Sequence, residues 1–315
     1  MRLGCGALAL VSASVLAQGW PARPIEMIVP IAPGGGMDAQ ARLLAELVEP
    51  ELKQRIVAVN RPGAGGTIGV GQLVKAAPDG YTIAAVWSGP LTASPHSQPV
   101  PYGLDDYVPV IQFSKAPFVV CVPPEFPAGS GAELVAHLKQ SPDKYTYGNE
   151  GAGGTLHLGA ERIFGALGVT VRAVPFSGAA DTVRNFLGGH IALYAGGFTS
   201  ILPHAKAGKA KCLMLTSAAR NPVFPQAAGL DELGVGGAET VFWRAILVPR
   251  GTPPEVVQRL DAAYRAAIAS KRFQDTLASL GEVSSTLSGA ALSQFIREEH
   301  AALGRLAKQA GVSRP

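Results

Sequence analysis

Cysteine, charge and aromatic residues are all scarce in this sequence. Three of its 315 residues are Cys, 16 % are charged and 7 % are Phe, Trp or Tyr. The net charge is +4, and the Lys and Arg residues are scattered along the chain. Proteins that bind nucleic acid usually gather positive charge into a patch or stripe. The composition therefore argues against a nucleic-acid partner.

The motifs of several enzyme classes are also missing. The sequence contains no Gly-x-x-x-x-Gly-Lys-Ser/Thr, no Gly-x-Ser-x-Gly and no His-Glu-x-x-His. Gly69-Val70-Gly71 lacks the third glycine of a dinucleotide-binding loop. No metal-ligand spacing relates the histidines, and we interpret them as surface or hydrogen-bonded structural residues: His96, His137, His157, His190, His204 and His300. The sequence thus predicts no catalysis, no cofactor and no metal.

The cysteines indicate neither a disulfide framework nor a metal site. Cys121 and Cys212 are about ninety residues apart, and each lies in an apolar run. Free cysteine behaves as a small hydrophobic residue, so we predict two buried free thiols. Leu3-Gly4-Cys5 resembles the end of a lipobox, but no apolar run precedes it. We therefore do not predict a lipoprotein.

The N-terminus has the pattern of a secretory signal peptide. Arg2 precedes an apolar stretch over residues 3–16, and residues 15–17 provide small or permitted residues before a cleavage point. The stretch is too short to span a bilayer comfortably. We predict export with cleavage near Ala17; the alternative is a first core helix.

The remaining chain has the pattern of an α/β protein. Residues 25–31, 55–60 and 81–87 read as buried strands with helices between them, and the β-α-β-α-β order favours a parallel sheet. The middle of the chain repeats this pattern, with strands over 145–148, 171–176, 191–194 and 211–216. Residues 108–123 and 245–249 read as crossings between two lobes. Thr252 and Ser288 mark the starts of two late helices, Thr252 as an N-cap.

We therefore predict a hinged clamshell with its ligand site in the cleft. Residues 1–17 are the signal peptide, residues 18–122 with 245–315 form lobe 1, and residues 123–244 form lobe 2. Each lobe is expected to be a mixed or parallel sheet flanked by helices.

Four glycine- or serine-rich turns lead from a strand into a helix, at Gly34, Gly63, Gly151 and Ser177. Ligands of open α/β sheets bind beyond the carboxyl ends of the strands. Helix N-termini there offer unpaired N–H groups and partial positive charge. The four turns together predict anion binding. Thr67 and Thr155 are expected to cap a helix or donate a hydroxyl to a carboxylate.

Several of these motifs resemble those of the Bug receptors, the periplasmic binding proteins of tripartite tricarboxylate transporters. The resemblance begins with Trp20-Pro21-x-Arg23-Pro24 and continues in Val29-Pro30-x-Ala32-Pro33-Gly34-Gly35-Gly36-x-Asp38. It covers essentially the whole chain after residue 17, with further matches over 60–69, 78–82, 151–157, 174–176, 187–189, 202–209 and 249–253.

The resemblance implies a two-lobe, type II-like periplasmic-binding-protein fold that closes on a carboxylate. Backbone amides and hydroxyls of the glycine-rich loops are then expected to hold the ligand, partly through ordered waters. The implied ligand-binding residues are Pro33, Gly34, Gly35, Gly36, Met37, Asp38, Ser88, Gly151, Ala152, Gly153, Gly154, Thr155, Ser177, Gly178, Ala179 and Phe198. Asp38 also fits the interpretation of a plain helix cap.

The resemblance further implies a monomer in the periplasm that delivers its cargo to a membrane permease. The expected cargo is a mono-, di- or tricarboxylate, or an acidic or amide amino acid. The chain departs from the usual pattern at Asp181, Asn185, Ala192, 195–197 and 224–229, near the far wall of the cleft. A sensor that signals ligand occupancy to a membrane partner is the alternative function. An exported enzyme would need a nucleophile or acid–base pair that we do not find.

Overall fold

The computed structural model describes residues 19–149 and 151–313. The predicted signal peptide lies outside the described residues. These described ranges form ten strands: β1 (Ile25–Val29), β2 (Ile56–Asn60), β3 (Thr82–Trp87), β4 (Tyr107–Val122), β5 (Thr146–Asn149), β6 (Arg172–Pro175), β7 (Leu193–Gly197), β8 (Lys211–Leu215), β9 (Val241–Pro249) and β10 (Val283–Ser284).

The described residues also form ten α-helices: α1 (Gly36–Leu52), α2 (Thr67–Leu73), α3 (Ser94–Ser97), α4 (Gly131–Lys139), α5 (Thr155–Leu167), α6 (Ala179–Leu187), α7 (Phe198–Lys206), α8 (Pro254–Ala269), α9 (Lys271–Ser279) and α10 (Gly289–Gln309). A π-helical turn over Gly89–Ala93 follows β3. Short 3-10 turns occupy Ala64–Gly66 and Gly236–Ala238.

The first half of the sheet has the order β2-β1-β3-β9-β4. Strand β1 pairs in parallel with β2 and β3, whereas β9 lies between β3 and β4 and is antiparallel to both. The strands β1, β3 and β9 are almost wholly buried, because helices pack on their apolar residues. A strand from late in the sequence, β9, therefore completes the centre of this half of the sheet.

Strand β4 belongs to both halves of the sheet. Its residues from Tyr107 to Pro117 pair with β9, and those from Phe118 onward pair with β7 and β8. The second half continues in parallel from β7 through β5 to β6. Two mixed halves flanked by helices confirm the predicted α/β fold, of the kind found in two-lobe clamshell proteins.

The hydrophobic core divides in the same way. Helices α1 and α8 cover one face of the first half, and separate buried clusters lie on the two faces of the second half. Helix α10 contacts both halves. Leu292 and Ile296 pack on the face of the first half that α1 and α8 do not cover, and Leu303 belongs to a cluster that contains Leu158 of α5. Within the described ranges, no helix combines the length and apolarity needed to cross a membrane.

Cys121 and Cys212 form a disulfide, so the prediction of two free thiols is wrong. The two residues are opposite each other in the antiparallel β4–β8 pair, with Cα atoms 3.9 Å apart. A sequence separation of 91 hides this proximity, because only the pairing of distant strands creates it.

Several element boundaries also differ from the prediction. Helix α1 begins at Gly36 with Gly35 as its N-cap, so Asp38 lies in the first turn and is not the cap. Pro253, not Thr252, is the N-cap of α8, and the Thr252 hydroxyl donates to the Pro249 carbonyl. Helices α7 and α9 were not predicted. Strand β9 begins four residues earlier than the predicted crossing.

Candidate functional site

A cavity of about 460 Å³ lies between the two halves of the sheet. Residues from both halves line it: Ile31, Gly36, Met37, Trp87, Ala116, Pro117, Phe118, Leu156, Ala179, Gly197, Phe198, Thr199, Ser200, Phe242, Arg244, Leu280 and Glu282. Its volume is in the range of sites that enclose a small molecule.

Four helices begin at this cavity. Gly36 and Met37 open α1, Leu156 lies at the start of α5, Ala179 opens α6, and Phe198 opens α7. The first N–H groups of a helix have no partner within the helix and carry partial positive charge. Their convergence favours an anionic group in the cavity.

The loop before α1 is held in place by Asp38. The buried carboxylate accepts hydrogen bonds from the Gly34 N–H (3.0 Å), Arg42 Nε (3.1 Å) and Asn60 Nδ2 (2.8 Å). Burial opposes ionisation, but these hydrogen bonds hold the pKa of Asp38 below its ordinary value. Gly34 has φ = +93°, which a residue with a side chain rarely adopts. Asp38 thus stabilises the loop that presents Gly36 and Met37.

The loop before α5 is held by a neutral histidine and an asparagine. The Gly153 N–H donates to His157 Nδ1 (3.0 Å), and the Gly151 N–H donates to Asn149 Oδ1 (3.0 Å). Burial lowers the pKa of His157, although Glu161 opposes the shift. A neutral imidazole can accept a hydrogen bond at Nδ1, so burial preserves the loop contact.

Three buried polar atoms, at the ends of β3 and β5 and at the start of α5, have no hydrogen-bond partner among the described residues. They are Ser88 Oγ, Asn149 Nδ2 and Thr155 Oγ1. The Ser88-Gly89 turn adjoins Thr155, because a β-carbon on Gly89 would lie 3.4 Å from Thr155 Oγ1. Buried polar groups are normally paired, so these three atoms are candidates for a hydrogen bond to a ligand or a water.

The structure distributes the predicted site residues around this cavity unevenly. Gly36, Met37, Ala179 and Phe198 line it directly. Next to lining residues in the chain are Gly35, Asp38, Ser88, Thr155 and Gly178, and Pro33 and Gly34 are two positions from one. Farther along their loops are Gly151, Ala152, Gly153, Gly154 and Ser177, and a β-carbon on Gly153 would meet Ser97.

The turn at Gly63 does not contribute a helix N-terminus to the cavity. Thr67, at the start of α2, donates its hydroxyl to the Ala64 carbonyl and is not among the lining residues. Gly66 instead lies against the Trp87 ring, which forms part of the wall. The fourth N-terminus comes from α7, which the sequence analysis missed together with Thr199 and Ser200.

Two charged residues at the cavity were also missed. Arg244 and Glu282 form a buried ion pair that lines the wall. Arg244 is the one charge in the apolar run of β9, which was a usable signal. Glu282 follows a turn after α9 and gave none. No cluster of His, Cys, Asp and Glu in the described ranges could hold a metal ion.

Comparison with known proteins identifies the family. Residues 40–312 match the model of the TctC family, the tripartite tricarboxylate transporter family receptors. The chain is 34 % identical over 278 residues to protein BugT of Bordetella pertussis, which covers 87 % of this chain and 85 % of BugT.

Solved structures agree with this match. Periplasmic binding protein BugD is 32 % identical, with a TM-score of 0.74 over 94 % of this chain and 100 % of that one. The Rpa4515 protein of R. palustris, solved with adipate, is 30 % identical, with a TM-score of 0.78 over 93 % and 99 % of the two chains. The family and fold are those of solute-binding receptors, not of enzymes. The chain belongs to the TctC family of tripartite tricarboxylate transporter receptors and resembles its Bug members across nearly its whole length.

Proposed function

We propose that this chain captures a small carboxylate in the cavity between its two lobes and presents it to a membrane permease. The observation that carries the proposal is the convergence of four helix N-termini on one cavity. Helix N-termini favour anions, and the unpartnered Ser88, Asn149 and Thr155 add neutral donors beside them. The relative solved with adipate supports a carboxylate as the class of ligand.

The same proposal includes the lobes and the ligand-binding residues. It divides the lobes at the end of β4 and within β9, with residues 18–122 and 245–315 in one lobe and residues 123–244 in the other. The loops Pro33–Asp38, Ser88, Gly151–Thr155, Ser177–Ala179 and Phe198 surround the ligand. The chain works as an exported monomer in the periplasm, after cleavage near Ala17.

A thermal-shift screen of the exported, purified protein tests this function. The library contains mono-, di- and tricarboxylates, acidic amino acids and their amides. A ligand that binds only the folded state raises the Tm by mass action, by the equivalent of about 2.7 kcal/mol at a hundredfold excess over Kd. We expect at least one carboxylate to raise the Tm and to bind in calorimetry.

Matched controls separate charge from shape. The methyl ester and the primary alcohol of the best carboxylate keep its skeleton and remove its negative charge. We expect both to bind at least tenfold more weakly. Tight binding of neutral compounds, with no carboxylate bound, would contradict the proposal. Size-exclusion chromatography with light scattering checks the monomer.

A further inference from the structure

The buried Arg244–Glu282 pair supplies the charged side chains of the cavity wall, where the other polar side chains are Thr199 and Ser200. Both side chains are at least nine-tenths buried, with exposed fractions of 9 % and 5 %. Arg244 lies opposite Trp87 in the antiparallel β3–β9 pair, so these two side chains share one face of the sheet. The Arg244 guanidinium is also 5.2 Å from the centre of the Phe242 ring. The pair is therefore part of the cavity wall.

The surrounding protein makes hydrogen bonds to only some of the polar atoms of this pair. Arg244 Nη1 donates to Glu282 Oε2 and to Ser114 Oγ (3.1 Å), and Gln40 Nε2 donates to the same Glu282 oxygen (2.9 Å). Ser114 completes the network by donating to Gln40 Oε1 (3.1 Å). In the described part of the chain, Arg244 Nη2 and Glu282 Oε1 make no hydrogen bond, and Arg244 Nε is buried without one. The pair thus keeps one donor group and one acceptor oxygen that the described residues do not use.

The charges of this pair determine which chemical group fits there. Arg244 and Glu282 neutralise each other, so a second carboxylate on the ligand would be an unpaired charge beside Glu282. An uncompensated charge in a buried site is costly, whereas a neutral group that both donates and accepts satisfies both residues. A hydroxyl or a carboxamide has this property.

The rest of the wall indicates the body of the ligand. Four aromatic rings and four long apolar side chains line the cavity: Trp87, Phe118, Phe198, Phe242, Ile31, Met37, Leu156 and Leu280. Such walls stabilise a flat apolar group by burial and ring contacts. They offer little to a short, strongly hydrated polyacid.

We propose that Arg244 and Glu282 determine the specificity of this receptor for aromatic monocarboxylates that carry a distal hydroxyl or carboxamide. The inference rests on the proposed function, since the single carboxylate of the ligand occupies the end formed by the helix N-termini. The second polar group of the ligand then donates to Glu282 and accepts from Arg244.

Calorimetric titration with four para-substituted benzoates tests the inference. Para-hydroxybenzoate and para-carbamoylbenzoate should bind at least tenfold more tightly than benzoate, which lacks the distal group, and terephthalate, which carries a second carboxylate. Tightest binding of terephthalate, or equal Kd values for all four, would overturn the specificity. If aliphatic carboxylates bind and none of the benzoates does, the proposed aromatic ligand class is wrong, but the proposed function stands.

A double variant identifies the residues responsible. Arg244→Met with Glu282→Gln removes both charges together and leaves no unpaired ion; it should retain benzoate binding and lose the tenfold preference. The exposed pair Arg272 and Glu46 provides the matched control, changed to Met and Gln. Retention of the preference in the cavity variant would remove both residues from recognition. If that variant does not fold, the wild-type series still decides the ligand class. Failure of every carboxylate to bind would instead contradict the proposed function.

Discussion

The hydroxyl of Thr155 is buried without a partner at the start of α5, so its contribution to stability and to binding can be separated. We expect Thr155→Val to weaken carboxylate binding by about 1 kcal/mol or more, roughly fivefold, because a donor to the ligand is lost. The Tm of the free protein should change little, since no protein contact of this hydroxyl is removed. Calorimetry and thermal melts measure the two quantities.

Thr67 supplies the matched control. Its hydroxyl donates to the Ala64 carbonyl at the start of α2, away from the cavity. Thr67→Val should lower the Tm and leave the Kd unchanged. The reverse pattern in the two variants would show that α2, not α5, contacts the ligand.

Glu299 predicts a pH dependence of stability. This partly buried side chain of α10 accepts a hydrogen bond from Trp243 Nε1, and burial raises its pKa to about 7. The folded protein keeps the proton up to that pH, whereas the unfolded chain releases it near the ordinary value. The resulting stability is complete at low pH and is lost as the pH rises through about 7.

Urea denaturation of wild type and Glu299→Gln between pH 4.5 and 8 measures this effect. Each pKa unit corresponds to about 1.4 kcal/mol in a fully enclosed site, and to less here because water still reaches the group. The wild type should lose stability relative to the variant as the pH rises. Parallel curves would show that Glu299 titrates equally in both states.

At the scale of elements, the loop before α1 allows a test of close approach by the ligand. Gly35 has φ = −80°, and a β-carbon there would meet no atom within 4 Å. Gly35→Val should therefore fold with nearly unchanged Tm but weaken carboxylate binding at least tenfold, because the side chain would obstruct the approach to the start of α1. Wild-type affinity would show that this loop is only a turn.

Gly66 is the contrasting position. It has φ = +93°, and a β-carbon would lie 2.5 Å from the Trp87 ring. We expect Gly66→Ala to lower the Tm through backbone strain and displacement of the ring. Comparing the Tm values of the two variants distinguishes Gly35, where the fold has room for a side chain, from Gly66, where the packing excludes one.

The disulfide between β4 and β8 should stabilise the second half of the sheet. Replacing Cys121 and Cys212 by Ala, or reducing the bond, should lower the free energy of unfolding by about 2–4 kcal/mol. Chemical denaturation with and without reductant measures the change. Thiol titration of the unreduced, denatured protein should find neither cysteine free.

Sequence patterns predicted elements better than the contacts between them. Alternation and helical periodicity located β1, α1 and α5 within a few residues, because each signal is local. Helix α7 follows Gly196-Gly197 and contains Pro203, so its local pattern is that of a loop. The disulfide and the Arg244–Glu282 pair depend on chain pairings that local patterns do not encode.

For the whole molecule, the two lobes are expected to close around the ligand. One hydrogen bond already joins the two proposed lobes: Asn221 Nδ2, in the lobe of residues 123–244, donates to the Gly281 carbonyl of the other lobe (3.0 Å). Closure of two lobes about connecting strands is a common response to a ligand. Small-angle X-ray scattering should show a smaller radius of gyration with a saturating carboxylate than without it. An unchanged radius would indicate a rigid, preformed site.

The position of β9 late in the sequence bears on the export that we propose. This strand fills the gap between β3 and β4, yet it begins at Val241, after more than three quarters of the chain has been made. Until then β3 and β4 keep unpaired edges, and pairing across so long a stretch of chain is slow. A nascent chain of this topology should stay unfolded long enough to be threaded through a secretion channel. A truncated chain that ends before Val241 lacks β9, so it should aggregate or be degraded.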